Sequence, residues 1–78
     1  PNPFSNTAQI SFVLERNSAV TVEIYNHSGQ MIERLVNQNM QEGLNEISWD
    51  AGNNVSGVYF FRIVSEKQVM TKKALLVR

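Results

Sequence analysis

The sequence predicts a small all-β domain built as a two-sheet sandwich, and three observations lead to this fold class. Stretches in which apolar and polar residues alternate one by one recur along the chain, as is typical of half-buried strands. Turn residues separate these stretches at intervals of roughly 8–12 residues, the spacing expected of a sandwich. No segment of the 78 residues has a helical period. The strands are therefore expected to bury their apolar faces against one another.

Two predicted strands near the start of the chain each have one apolar and one polar face. They cover about residues 8–14 and 20–25, with a polar turn between them. Because side chains alternate across a strand, one face of each is expected to lie on the core. The residues predicted to face inward are Ala8, Ile10, Phe12, Leu14, Val20, Val22 and Ile24. The extended segment Pro1–Pro3 is expected to precede a core anchor at Phe4.

The middle of the chain contains a tight turn, a third strand and a longer connection. The turn covers residues 27–30, where Gly29 can adopt the positive φ that hairpin turns need. A third strand is predicted over Met31–Val36, and the polar stretch Asn37–Gly43 is interpreted as a connection. This interpretation makes the third strand short.

The fourth and fifth strands are expected to supply the largest core side chains. The fourth carries Asn45, Ile47 and Trp49 on one face, and Trp49, the bulkiest apolar group, should lie at the centre. A wide loop, Asp50–Gly57, leads to the fifth strand, Val58–Ser65, the most β-prone stretch of the chain. Its predicted core residues are Tyr59, Phe61 and Ile63.

The last predicted strand, Val69–Val77, differs from the first two because both of its faces are apolar. Leu75 and Val77 lie on one face, and Ala74 and Leu76 on the other. The outer face of the fifth strand likewise carries Val58, Phe60 and Val64 around Arg62. Two explanations stay open: these strands are covered by neighbouring structure, or they form a docking patch at Val58, Phe60 and Val64.

Composition excludes several classes of function. Seven basic and seven acidic residues cancel, so no net charge draws the chain to nucleic acid or to an anionic membrane. No apolar run approaches the roughly 20 residues of a membrane-spanning helix. Because the chain starts at Pro1 without an initiator methionine, we expect residues 1–78 to be a single domain of a larger protein. In isolation we expect it to be a monomer.

No group of residues points to catalysis, so the domain is predicted not to be an enzyme. His27 has no second histidine or cysteine at ligand spacing, and neither a metal nor a cofactor is expected. Asp50 is expected to accept hydrogen bonds from the backbone of the loop that it opens. The pair Lys72 and Lys73 has an ordinary explanation as protection of a strand edge.

Five motifs in order resemble one family. They are Pro1-Asn2-Pro3-Phe4 with Thr7 and Ile10-Ser11-Phe12; Val22-Glu23-Ile24-Tyr25-Asn26 with Gly29; Ile47-Ser48-Trp49-Asp50; Ser56-Gly57-Val58-Tyr59-Phe60; and Thr71-Lys72-Lys73 before an apolar end. Together they resemble the type A C-terminal sorting domain of the bacterial type IX (Por) secretion system. The resemblance implies an immunoglobulin-like β-sandwich of about seven antiparallel strands in two sheets.

The resemblance also implies a function in recognition. The domain would direct its parent protein from the periplasm through the outer-membrane translocon, with shuttle proteins, to the cell surface or extracellular space, where a sortase-like peptidase removes it. A last strand with two apolar faces suits addition to a partner's sheet. The residues implied in recognition are Gly57, Tyr59, Lys72, Lys73, Ala74, Leu75, Leu76, Val77 and Arg78. Ala74 departs from the family pattern, which usually has a larger apolar residue such as methionine.

Two other non-catalytic functions stay open at this point. One is an immunoglobulin-like or fibronectin-like structural module of an extracellular hydrolase or a flagellar-hook-capping type of protein, since such modules share the Gly-Val-Tyr strand. The other is a carbohydrate-binding module, which needs a row of exposed aromatic residues. Tyr25 and Phe60 are the two candidates for such a row.

Overall fold

A computed structural model describes residues 3–78, in which seven β-strands form two sheets around one core. The strands are β1 (Pro3–Phe4), β2 (Thr7–Leu14), β3 (Ser18–Asn26), β4 (Met31–Met40), β5 (Gly43–Asp50), β6 (Gly57–Val64) and β7 (Val69–Leu76). The larger sheet has the order β1-β7-β6-β3-β4, and β2 pairs with β5 in the smaller sheet. The predicted all-β, immunoglobulin-like sandwich is confirmed. The predicted extension at Pro1 and Asn2 lies outside the described residues.

The core lies between the two sheets and follows the predicted alternation. Along β2, buried and exposed residues alternate without exception from Thr7 to Leu14. Fully burying one large apolar side chain stabilises the fold by about 1.5–3 kcal/mol, so these positions dominate its stability. The largest of the fully buried side chains are Trp49, Phe61, Ile24, Ile63, Leu76, Val20 and Val22. Ile47 is less central than predicted, because it is only partly buried and packs at the margin of the core.

Trp49 lies at the centre of an aromatic cluster, as predicted. Its ring centroid is 6.0 Å from that of Phe4, 5.2 Å from that of Tyr59 and 5.6 Å from that of Phe61. The pairs with Phe4 and Phe61 are edge-on, a favourable arrangement for aromatic rings. The indole Nε1–H donates a hydrogen bond of 3.1 Å to the Glu33 carboxylate, so its one polar group is satisfied. The cluster joins β1, β5 and β6.

The prediction for β4 was wrong in its length. The strand continues to Met40 instead of ending at Val36, and only residues 41–42 connect it to β5. β4 pairs with β3 alone and forms one edge of the sheet, so the exposed residues 37–39 need no apolar side chains. Two register shifts against β3 also interrupt the alternation. The second half of β4 is therefore polar and irregular, and for this reason its sequence was interpreted as a loop.

β1 belongs to the larger sheet, whereas β2, the next strand along the chain, lies in the smaller one. Pro3 pairs with Leu75 and Phe4 with Leu76, in the only parallel pairing among the described strands. The Val77 N–H extends this ladder by donating to the Phe4 carbonyl at 2.8 Å. Phe4 packs against the core as expected. The first and last strands of the described chain are therefore neighbours.

Candidate recognition site

β7 is only partly covered along its outer edge. On one side it pairs with β6 over its full length, from Val69 to Leu76. On the other side, β1 pairs with Leu75 and Leu76 only. Within residues 3–78, no other strand pairs with this side of β7. We call the uncovered part, Val69–Lys73, the open edge.

The direction of the backbone groups at the open edge follows from one hydrogen bond. The Val77 N–H points toward β1, and backbone groups of successive residues in a strand point alternately to its two sides. The N–H and C=O groups of Val69, Thr71 and Lys73 therefore point away from β6, toward the open edge. Such a row of backbone donors and acceptors is a template on which another strand can pair.

The loop between β5 and β6 is held in place by Tyr59. Its ring is buried, and its hydroxyl donates a 2.6 Å hydrogen bond to the Val55 carbonyl, four residues earlier. A buried tyrosine that bonds back to the backbone before its strand is a feature of immunoglobulin-like sandwiches. Asp50 accepts a 3.0 Å hydrogen bond from the Gly52 N–H, as predicted. The tyrosine of the Gly57-Val58-Tyr59 motif therefore has a structural role, which is to hold this loop.

Arg78 fastens the end of β7 to the same loop. Its backbone N–H donates to the Ser56 hydroxyl at 3.1 Å, and its Nε donates to the Asn54 carbonyl at 2.9 Å. The guanidinium also donates to the Gly52 carbonyl. Together with the bond from Val77 to Phe4, these contacts hold the segment after β7 against the body of the domain.

A match to a known family favours the sorting domain over the structural module and the carbohydrate-binding module. Residues 1–77 match the family described as the secretion system C-terminal sorting domain. The chain belongs to this family. No curated protein matches the chain in sequence. A domain of this family is a C-terminal sorting signal of type IX secretion, and it implies export to the cell surface or extracellular space.

The predicted recognition residues of the sorting domain divide into two groups. Tyr59, Ala74 and Leu76 are buried, so they position the strands and offer little surface to a partner. The accessible members are Lys72, Lys73, Val77 and Arg78, which are exposed, and Gly57 and Leu75, which are partly exposed. Val58, Phe60 and Val64 of the predicted docking patch are partly exposed as well.

Ala74 is buried beside a cleft at one side of the sorting domain. This cleft has a volume of about 280 Å³, and its lining includes Phe4, Ala8, Ile10 and Ala74. Pro3 and Lys73 also line the cleft, which therefore lies between β1, β2 and β7.

No metal site or membrane-spanning helix is found in the part of the sorting domain that the structure describes. Residues 3–78 contain no group of three or more histidine, cysteine, aspartate or glutamate side chains placed to hold a metal ion. None of the described segments forms a helix long and apolar enough to cross a bilayer. His27 is exposed in the turn between β3 and β4.

A hydrogen-bond network lies on the outer face of the larger sheet and was not predicted. The Tyr25 hydroxyl donates to Glu23 at 2.8 Å, and Arg34 donates to the same carboxylate through Nη2 at 3.0 Å and Nε at 3.2 Å. These hydrogen bonds, that of Tyr25 first, hold the pKa of Glu23 below its ordinary value of 4.5. The bond to Glu23 also raises the pKa of Tyr25 above 10.0.

The lowered pKa of Glu23 makes the stability of the sorting domain depend on pH. A carboxyl group with a depressed folded-state pKa stabilises the fold above its unfolded pKa, and this contribution is lost as the pH falls. We expect the urea midpoint to decrease as the pH falls below 4.5, and Glu23→Gln to reduce this dependence. The measurement is urea unfolding followed by Trp49 fluorescence.

Glu42→Gln is the matched control for Glu23→Gln. Glu42 is exposed, and its carboxylate makes no hydrogen bond to the residues that the structure describes. This control should follow the wild-type dependence on pH. Equal acid sensitivity in the wild type and in Glu23→Gln would contradict the assignment of this pH dependence to Glu23.

Proposed function

We propose that this sorting domain directs its parent protein from the periplasm through the type IX outer-membrane translocon, by protein–protein recognition that involves shuttle proteins. In this proposal, residues 1–78 form one C-terminal domain, and a sortase-like peptidase removes it at the cell surface. The observation that supports the proposal is the family match over residues 1–77, in a fold that leaves the edge of its last strand open.

Strand addition at the open edge is the mode of recognition that the structure favours. Val69, Thr71 and Lys73 each direct one backbone donor and one backbone acceptor outward. A net contribution of about 0.5–1.5 kcal/mol per hydrogen bond would make several such bonds a substantial part of the affinity. In this mode, backbone bonds provide affinity while alternate side chains provide specificity. The exposed Lys72 and Lys73 side chains would supply part of the specificity.

Thr71→Pro tests strand addition directly. Proline removes the outward N–H of Thr71 and places its ring in the path of an incoming strand, while the bonds of β7 to β6 use the neighbouring residues. We expect export of a secreted reporter fused to the domain to fall at least about tenfold, equivalent to 1.4 kcal/mol of lost binding. The measurement is reporter on the surface and in the medium of a host that has this secretion system.

The matched control is Thr71→Val, which keeps the backbone N–H and has a similar shape. This variant should be exported like the wild type, and urea unfolding of each isolated domain checks that both variants fold. Normal export of folded Thr71→Pro would refute strand addition at this edge. Failure of the wild-type fusion to be exported would refute the sorting function, and retention of the domain on exported reporter would refute the peptidase step.

A further inference from the structure

The outer face of the larger sheet is partly apolar, although it faces away from the core. Register places Tyr25 opposite Phe60, and Phe60 opposite Lys73, on three neighbouring strands. Val58 lies opposite Leu75 in the same way. Side chains at such positions have their Cβ atoms about 5 Å apart. Tyr25, Val58, Phe60 and Leu75 are all partly exposed and form one area, which we call the outer patch.

Positive charge borders the outer patch. Lys73 faces Phe60 across the strands, and Arg62 follows on the same face of β6. In the described part of the chain, the salt bridge on this face joins Arg34 to Glu23. Within residues 3–78, Arg62 lies opposite Glu23 across β3 and β6 without forming a salt bridge, and Lys73 forms none. Three cations therefore share this face with one carboxylate, leaving a net charge of about two positive units near neutral pH.

The opposite outer face, on the smaller sheet, has charge of the other sign. Its residues are Thr7, Gln9, Ser11 and Val13 of β2, and Leu44, Glu46, Ser48 and Asp50 of β5. The two charged groups among them, Glu46 and Asp50, are both acidic. The zero net charge of the chain therefore conceals opposite charges on opposite faces. The prediction from net charge alone did not include this separation.

An apolar centre bordered by an excess of positive charge indicates the chemistry of a partner. Recruitment to an anionic membrane typically uses clusters of four to eight basic residues. Arg62 and Lys73 are fewer than such a cluster needs. A protein surface can cover the aromatic and aliphatic side chains while its carboxylates pair with the cations at the rim. The observations therefore favour a protein over a lipid surface.

We infer that the outer patch, with Arg62 and Lys73 at its rim, binds an acidic protein surface of the export machinery whose apolar centre covers Phe60. This inference rests on the function proposed above, because it assigns the partner to that machinery. Phe60 provides the centre of the contact, and the two cations select and orient the acidic partner. The outer patch adjoins the open edge through Lys73, so one partner can engage both.

The test is charge reversal in the reporter fusion. Arg62→Glu combined with Lys73→Glu should reduce export at least about tenfold, because two attractive contacts become repulsive. The matched control is Arg16→Glu combined with Lys67→Glu, which changes the same residue types and the same charge at exposed turns. This control should be exported like the wild type. Arg62→Gln with Lys73→Gln, expected to cause a smaller loss, avoids placing a carboxylate opposite Glu23.

A crosslinking probe identifies what covers the outer patch. A photoactivatable phenylalanine analogue at position 60 should crosslink to an export protein through a segment rich in aspartate and glutamate. The same analogue at position 48, on the acidic face, should not. Charge reversal of the crosslinked segment to lysine should restore export of the Arg62→Glu and Lys73→Glu variant.

Three results would overturn the inference. The first is wild-type export by the charge-reversed domain when its urea midpoint shows that it is folded. The second is a position-60 crosslink that lies in a segment without acidic residues. The third is binding of the wild-type domain to phosphatidylglycerol vesicles that the charge-reversed domain loses, which would assign the patch to a membrane. Each result leaves the sorting function intact when the wild-type fusion is exported.

Discussion

Replacing Trp49 with alanine is expected to unfold most of the sorting domain. The side chain is fully buried and contacts the rings of Phe4, Tyr59 and Phe61. A change from tryptophan to alanine in a core costs about 3–5 kcal/mol. A core in a domain of this size rarely supplies more than about 3–5 kcal/mol of net stability. The loss is therefore as large as the stability available.

Circular dichroism during urea unfolding measures this effect, since the variant lacks the only tryptophan. Trp49→Phe is the matched control, because it keeps an aromatic ring and loses mainly volume and the hydrogen bond to Glu33. The control should fold with a reduced midpoint. A wild-type midpoint for Trp49→Ala would contradict the central position of this residue in the core.

Leu76→Ala is expected to have the second largest effect on stability. Leu76 is 1% exposed, pairs with Gly57 on one side and with Phe4 on the other, and belongs to the main core cluster. A buried leucine replaced by alanine costs about 2–5 kcal/mol. Leu75→Ala, one residue earlier and on the outer face, should cost less than about 1 kcal/mol. Trp49 fluorescence in urea measures both variants.

The pair Leu75 and Leu76 also separates recognition from folding in export experiments. Deleting residues 74–78 removes the buried side chains of Ala74 and Leu76, so lost export would not distinguish a missing signal from an unfolded domain. Leu75→Ala keeps the fold and changes only accessible surface. Equal urea midpoints for the Leu75 and Leu76 variants would contradict this division of the two faces of β7.

The sequence predicted the buried faces of β2, β3 and β6 because each of these strands has a core on one side. One-sided burial produces an alternation of period two, and Val22, Ile24, Phe61 and Ile63 are buried as that alternation indicates. The extent of β4 could not be predicted in this way. An edge strand with bulges imposes no regular alternation, so its polar second half had the composition of a loop.

The parts of the site that were missed depend on contacts between distant residues. The pairing of β1 with β7 involves two residues on each strand, too few for a periodic pattern. The bonds of Arg78 to the loop before β6 join positions more than 20 residues apart. The sequence contained two signals for these features. A buried tyrosine such as Tyr59 needs a hydrogen-bond partner for its hydroxyl, which predicts a contact with a nearby loop. Summing the charges on each predicted face of the strands separates Arg62 and Lys73 from Glu46 and Asp50.

The parallel contact between β1 and β7 has a consequence for how the domain would respond to mechanical force. A segment pulled away before Pro3, while β7 is gripped, would load the two strands along their length in opposite directions. Their backbone contacts would then be sheared together, whereas an antiparallel hairpin pulled from its open end separates one bond at a time. Resistance to forced unfolding is set by the unfolding rate, so shearing of this junction would contribute to that rate under load.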